Sequence, residues 1–149
     1  MNIKVMYHTL TGNTRKVAEA IAGELGTEAE KIGKDHATPS EPIDLLFIGD
    51  GIYAGKPGKD TVAFIDKLTP ETVKAAAVFT TYGGQDVIGD RIANLLRDKG
   101  LNLVGDPFAC KGKCWFFVNR KRPNGDDLES ARKFARSIVS EAEKQAGGE

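Results

Sequence analysis

Residues 2–25 read NIKVMYHTLTGNTRKVAEAIAGEL. The first part, NIKVMY over 2–7, has β-branched content and no breaker, so it predicts a buried strand. From Asn13 to Leu25 the apolar residues Val17, Ala18, Ile21, Ala22 and Leu25 fall on one helical face, and Gly26 supplies the stop. The loop between them is His8-Thr9-Leu10-Thr11-Gly12-Asn13-Thr14. It gathers three threonine hydroxyls, a glycine and the free N–H groups of a helix start. That setting suits a phosphate dianion, because the orphan amides donate to it and the helix dipole favours its charge. The loop contains no Lys, so it suits a phosphate monoester better than a triphosphate with magnesium.

The alternation of strand and helix continues outward from this unit. Residues 28–32 (EAEKI) predict a weak polar edge strand. The stretch 33–43 (GKDHATPSEPI) has two prolines and poor helical period, so any crossover helix there is short or irregular. Residues 44–49 (DLLFIG) predict a second buried strand. Val62, Ile65 and Leu68 predict a short helix ended by Thr69-Pro70. Residues 75–81 (AAAVFTT) form the next strand, and Ile88, Ile92, Leu95 and Leu96 stripe a helix closed by Gly100. A fifth strand is expected over 102–109, with a break around Gly105-Asp106-Pro107, and 115–118 (WFFV) extends it or pairs beside it. Leu128, Ala131, Phe134, Ala135, Ile138 and Ala142 mark the last helix, before a frayed GGE tail. This is the pattern of an α/β, doubly wound domain with a mostly parallel sheet, and residues 1–149 read as one domain. In such sheets ligands sit outside the carboxyl ends of the strands. The loops to inspect are 8–14, 50–59, 82–87 and 110–125.

Composition narrows the class of function. Lys plus Arg balances Asp plus Glu, 21 against 21, so bulk charge points to neither nucleic acid nor a membrane surface. No run reaches the roughly 18 apolar residues of a membrane helix, and MNIKVMYHTL lacks the features of a secretory signal. Cys110 and Cys114 are too few for a disulfide scaffold, and as CxxxC they make half a zinc site at best. The expected compartment is the cytoplasm, and no metal site is expected.

The loop TLTGNT, Thr9 to Thr14, fits the pattern (S/T)xTGxT after a first strand at every fixed position. Here the chain resembles the flavodoxin family. The resemblance implies a flavodoxin-like, five-stranded parallel sheet with helices on both faces, and one non-covalently bound FMN as cofactor. Thr9, Thr11, Gly12, Asn13 and Thr14, with the backbone of Leu10, would hold the FMN phosphate. The loop GDGIYAGKPGKD, Gly49 to Asp60, is similar to the family's second flavin loop. By that likeness Gly51, Ile52, Tyr53, Ala54 and Gly55 approach the ring, with Tyr53 stacking on it or shielding its dimethylbenzene edge. A peptide of this loop would turn its carbonyl toward the flavin N5–H, and the glycine that allows it is left open. The loop TTYGGQD, Thr80 to Asp86, matches the third flavin loop in position. By that likeness Thr81, Tyr82, Gly83 and Gly84 would line the flavin: the two glycines would let backbone amides reach the pyrimidine carbonyls, and Tyr82 would stack on the other face.

Competing motifs fail on spacing or context. Gly51 to Pro57 reads GxxxGKP, which is neither the nucleotide P-loop spacing nor followed by a hydroxyl. No GxGxxG follows the first strand. Asp50 and Lys111 could suggest a phosphoacceptor site, but His8 and Thr9 stand where that site needs acids. Cys114 to Arg120 has phosphatase spacing, yet its interior, Trp-Phe-Phe-Val-Asn, is too bulky to turn amides inward. His8 reads as an ordinary loop histidine. The function expected is electron transfer between redox partner proteins, with no catalytic residue assigned. An NAD(P)H-dependent flavin or quinone reductase, and a non-redox binding module of the same fold, are the alternatives. Segment 111–122 holds Lys111, Lys113, Arg120, Lys121 and Arg122 with no acid, and Lys56 and Lys59 lie in the second loop. These charges are unlike the acidic surface usual in the family, and they fit an acidic partner.

Overall fold

The computed structural model describes residues 1–51, 56–82, 88–111 and 122–147. Its sheet is built on three buried strands, β1 (Ile3–Tyr7), β3 (Leu45–Gly51) and β4 (Ala75–Tyr82). A short β2 (Ala29–Lys31) lies outside β1, and β5 (Asn102–Leu103) and β6 (Phe108–Lys111) both pair with β4 on its other side. Every pairing is parallel, and the order is 2-1-3-4-5. Central strands covered on both faces need apolar side chains at successive positions, which LLFI and AAAVF supply. Within β3 the faces alternate: Leu45 and Phe47 join one core cluster, and Leu46 and Ile48 join the other.

The fifth lane of the sheet holds two strand segments, as the Gly105-Asp106-Pro107 punctuation predicts. β5 pairs with Ala75 and Ala76 at the start of β4, and β6 pairs with Phe79 through Tyr82 at its end. Between them Gly105 takes φ +67°, and a Cβ there would come within 2.6 Å of Ile138 Cδ1. A side chain at that position would strain the backbone and collide with the last helix at once. The expected contribution of 115–118 falls outside the described residues.

Among the described residues four helices cover the sheet. α1 (Asn13–Glu24) and α4 (Gly125–Gly147) pack on one face, where Val17, Ile21, Ala131, Ala135 and Ile138 meet Val5, Phe47 and Phe79. α2 (Lys59–Asp66) and α3 (Ile88–Asp98) take the other, where Phe64, Ile65, Ile92 and Leu96 meet Met6, Ile48 and Val78. The stops of α1 and α3 fall where glycine allows them, with Gly26 at φ +69° and Gly100 at φ +80°. In α2 the buried face is Thr61, Phe64 and Ile65, and Val62 is exposed. Of the expected stripe, Ile65 and Leu68 are buried and only Val62 lies off the core face; the helix ends at Asp66, ahead of Thr69-Pro70. No helix bridges β2 and β3. Ile43 is tied there by backbone bonds to Thr72 and Lys74, and the His36 ring meets Phe64 edge-on at 5.4 Å.

Candidate functional site at the carboxyl edge of the sheet

The strand order changes direction between β1 and β3: α1 leaves β1 toward one face and α2 leaves β3 toward the other. The helices after these two strands therefore diverge, and in such sheets this switch point is the usual ligand position. On the β1 side, Gly12 is the N-cap of α1 at φ +89°, in the left-handed region. It carries no capping side chain, and the first turn of α1 has no acidic residue. Helices α2, α3 and α4 each carry an acid in that turn, Asp60, Asp90 and Asp126 with Asp127. The positive end of α1 is thus left without a carboxylate of its own, and an external anion can take that role.

The threonines of this loop are arranged around that helix start. Thr9 Oγ1 accepts a bond from the Gly12 N–H at 2.9 Å, which closes the turn. Thr14 Oγ1 lies 2.9 Å from Thr81 Oγ1, with both side chains buried, so the loop after β1 is bolted to the end of β4. A hydroxyl can donate once and accept twice, so one member of this pair keeps a proton for another acceptor. Asn13 is buried, Thr11 is exposed, and Leu10 is 70% exposed.

On the β3 side the organising group is Asp50. Its side chain is fully buried and accepts from Gly51 N–H at 2.7 Å and from His8 Nδ1 at 3.0 Å on Oδ1. On Oδ2 it accepts from Gly58 N–H and Thr61 Oγ1, each at 2.7 Å. The register of β1 and β3 explains the contact: Tyr7 faces Gly49, so His8, just past the end of β1, stands beside Asp50, still within β3. The His8 N–H also donates to the Gly49 carbonyl at 3.0 Å, and His8 Nε2 lies 3.9 Å from Asp60 Oδ2. The reading of His8 as an ordinary loop residue is corrected here: it is buried and bonded to a buried acid. Gly51 is buried at the strand end, and Ile52, Tyr53, Ala54 and Gly55 lie outside the described residues.

The third loop begins at Thr81, buried, and Tyr82, half-buried at the end of β4; Gly83 and Gly84 lie outside the described residues. β6 ends beside them, with Thr81 opposite Cys110 and Tyr82 opposite Lys111. Burial pushes the Cys110 thiol up to about 12; nearby Asp127 adds to this and Arg122 opposes it. Cys110 is therefore a protonated, packed thiol at neutral pH, and Cys114 lies outside the described residues. Arg122 is not a loose surface charge. Its guanidinium grips Asp127 through both carboxylate oxygens; at the start of α4 the Asn124 N–H donates to Asp127 Oδ2 and the Asp127 N–H donates to Asn124 Oδ1.

Clefts elsewhere have a different character. One of about 420 Å³ lies beside 36–43, and one of about 340 Å³ lies at the amino end of the sheet near Met1, Asp44 and Lys74. Neither gathers helix-start amides and hydroxyls as the carboxyl edge does. Among the described residues no group of His, Cys, Asp or Glu could hold a metal ion, and no helix is long and apolar enough to cross a membrane.

A flavodoxin-domain family model matches residues 4–121, so the chain belongs to the flavodoxin family. It is 35% identical over 137 residues to an uncharacterized protein of Methanocaldococcus jannaschii, a match covering 85% of this chain and 90% of that one. Among solved structures, a flavodoxin from the domain Archaea superposes with TM-score 0.75 at 18% identity, covering 96% of this chain and 99% of that chain. Oxidised flavodoxin 1 from Bacillus cereus gives 0.73 at 22% identity, with 94% and 98% covered. The rubredoxin oxygen:oxidoreductase of Desulfovibrio gigas also gives 0.75, at 15% identity. That match takes in 97% of this chain and only 37% of the larger protein. The fold is therefore flavodoxin-like, parallel and doubly wound.

Proposed function

We infer that this chain binds one FMN non-covalently at the carboxyl edge of its sheet and carries electrons between redox partner proteins. The observation that carries this reading is the start of α1. A threonine-rich turn delivers a bare left-handed glycine as N-cap, and the helix's first turn is free of acids. Those features fit a phosphate monoester: among the described residues nothing lies within 4 Å of where a Gly12 Cβ would stand, and the helix end offers amides and dipole to a dianion. Thr9, Thr11, Gly12, Asn13 and Thr14, with the Leu10 backbone, would hold the phosphate. Gly51 through Gly55 and Thr81 through Gly84 would flank the ring. The bound FMN supplies the electron chemistry, and the chain supplies binding, orientation and access.

The test is the absorbance spectrum of the purified protein, with the released cofactor identified by chromatography. A yellow protein releasing FMN is expected. Riboflavin should bind more weakly, because it lacks the dianion that charge-assisted hydrogen bonds recognise. Equal affinity for FMN and riboflavin would remove the phosphate role of the loop. Steady NAD(P)H oxidation by the loaded protein alone would make it a reductase.

A further inference from the structure

Asp50 and Gly58 are eight residues apart in sequence, yet a single carboxylate spans the loop between them. Oδ1 holds the Gly51 amide at the loop's start, and Oδ2 holds the Gly58 amide at its end. Thr61 on α2 completes Oδ2 and His8 completes Oδ1, so the acid has donors on both oxygens and no exposure to water. Such a group is held only where every lone pair it presents is well met. Gly58 is part of the fit: a Cβ there would stand 2.6 Å from His8 Nδ1 and 3.1 Å from Asp50 Oδ2. His8 in turn is the residue before the threonine turn. The network therefore joins the last residue ahead of the phosphate loop to both ends of the ring loop.

We propose that Asp50 and His8 are positioning residues for the flavin: Asp50 fixes the separation and direction of the two ends of the 51–58 loop, and His8 sets that loop against the phosphate loop. This rests on the FMN reading given above. Neither side chain needs to touch the flavin, and the role of His8 is to donate one hydrogen bond from Nδ1. A carboxylate oxygen accepts, so Nδ1 is assigned as the ring nitrogen that donates to Asp50.

The chemistry of asparagine makes this separable from proton transfer. The amide nitrogen of Asn is attached to Cγ, as Nδ1 is in His, so His8→Asn keeps the donor without the imidazole ring. His8→Ala discards both, and Asp50→Asn keeps the shape while replacing one acceptor oxygen with a donor. FMN titrations of the folded apoproteins should show about tenfold weaker binding or worse for His8→Ala and Asp50→Asn, with His8→Asn within about threefold of the natural protein. The one-electron potentials should follow the same order. A His8→Asn protein as impaired as His8→Ala would overturn the proposal, and so would Asp50→Asn with unchanged affinity and potentials. A second measurement needs no flavin. In the apoprotein the Gly51 and Gly58 amide protons, bonded to a carboxylate, should resonate downfield in NMR spectra. They should move upfield in His8→Ala and Asp50→Asn and stay in place in His8→Asn. If the natural protein takes up no FMN, the cofactor reading falls. The NMR arm then decides whether the network holds the loop, and unmoved amide shifts overturn it.

Discussion

At the scale of single residues, two positions of the threonine turn act in separable ways. Gly12 has open space where a Cβ would go, with no described residue within 4 Å of it. Its burden is conformational: φ +89° costs an L-residue roughly 1–2 kcal/mol. Gly12→Val should therefore fold with a modest loss of stability and lose much more in FMN affinity, since the side chain enters the space proposed for phosphate. Comparing a denaturant midpoint with an FMN titration checks both halves. Thr14→Ala should lower stability even without flavin, because the buried Thr81 hydroxyl loses its partner, at about 1–3 kcal/mol. Thr14→Ser should restore both stability and FMN binding. If Ala at this position leaves apoprotein stability unchanged, the bolt between the first loop and β4 is not a structural one.

At the scale of elements, the start of α4 makes stability depend on pH. The Asp127 carboxyl is held below the usual carboxylate range, first by its hydrogen bonds from Arg122 and then by the Asn124 amide, against opposing burial. An acid whose folded pKa is depressed stabilises the fold fully above its unfolded pKa, near 3.9, and that contribution is lost as pH falls through the folded value. Thermal midpoints should therefore drop more steeply below about pH 4 in the natural protein than in Asp127→Asn, which should be less stable at pH 7. Equal slopes would show that the grip of Arg122 on Asp127 adds nothing to the fold.

Elements also show what a reader of the sequence can and cannot see. The break in the fifth lane was legible because Gly105 and Pro107 punctuate it locally. The face of α2 was not, since an eight-residue helix gives two turns and too little periodicity to choose between Val62 and Phe64. The turn at Thr9–Thr14 was legible because all its parts are contiguous. His8 with Asp50, and Thr14 with Thr81, are 42 and 67 residues apart. Only strand order and register bring those pairs together, and neither is written in local spacing.

At the scale of the whole molecule, the formal charge is zero, and its distribution matters more than its sum. Lys56, Lys59 and Lys111 are exposed around the carboxyl edge, and none forms an ion pair with another described residue. Arg122 drops out of the basic set because Asp127 neutralises it. Lys113, Arg120 and Lys121 lie outside the described residues. A cation about 10 Å from the flavin, at an effective dielectric of roughly 20 to 80, favours the reduced form by about 0.4–1.7 kcal/mol before screening. At about 59 mV per tenfold change for one electron, each charge is worth tens of millivolts. Reversing Lys56, Lys59 and Lys111 together should lower the potential of the last reduction step and slow electron delivery from an acidic donor protein. Both effects should shrink as salt rises. Spectroelectrochemistry and stopped-flow rates that do not move would place these lysines away from the electron path.

The helix-free link between β2 and β3 has a consequence for how the molecule opens. β2 has three paired residues, Ala29, Glu30 and Lys31, none of them buried, and a helix on one face only. β3 and β4 are buried along nearly their whole length, so their amides should exchange with deuterium only through global unfolding. Those of β2 should exchange orders of magnitude faster, through a local opening that denaturant barely accelerates. Exchange at β2 as slow as in β3 would mean that the 33–44 segment seals the edge as a helix would.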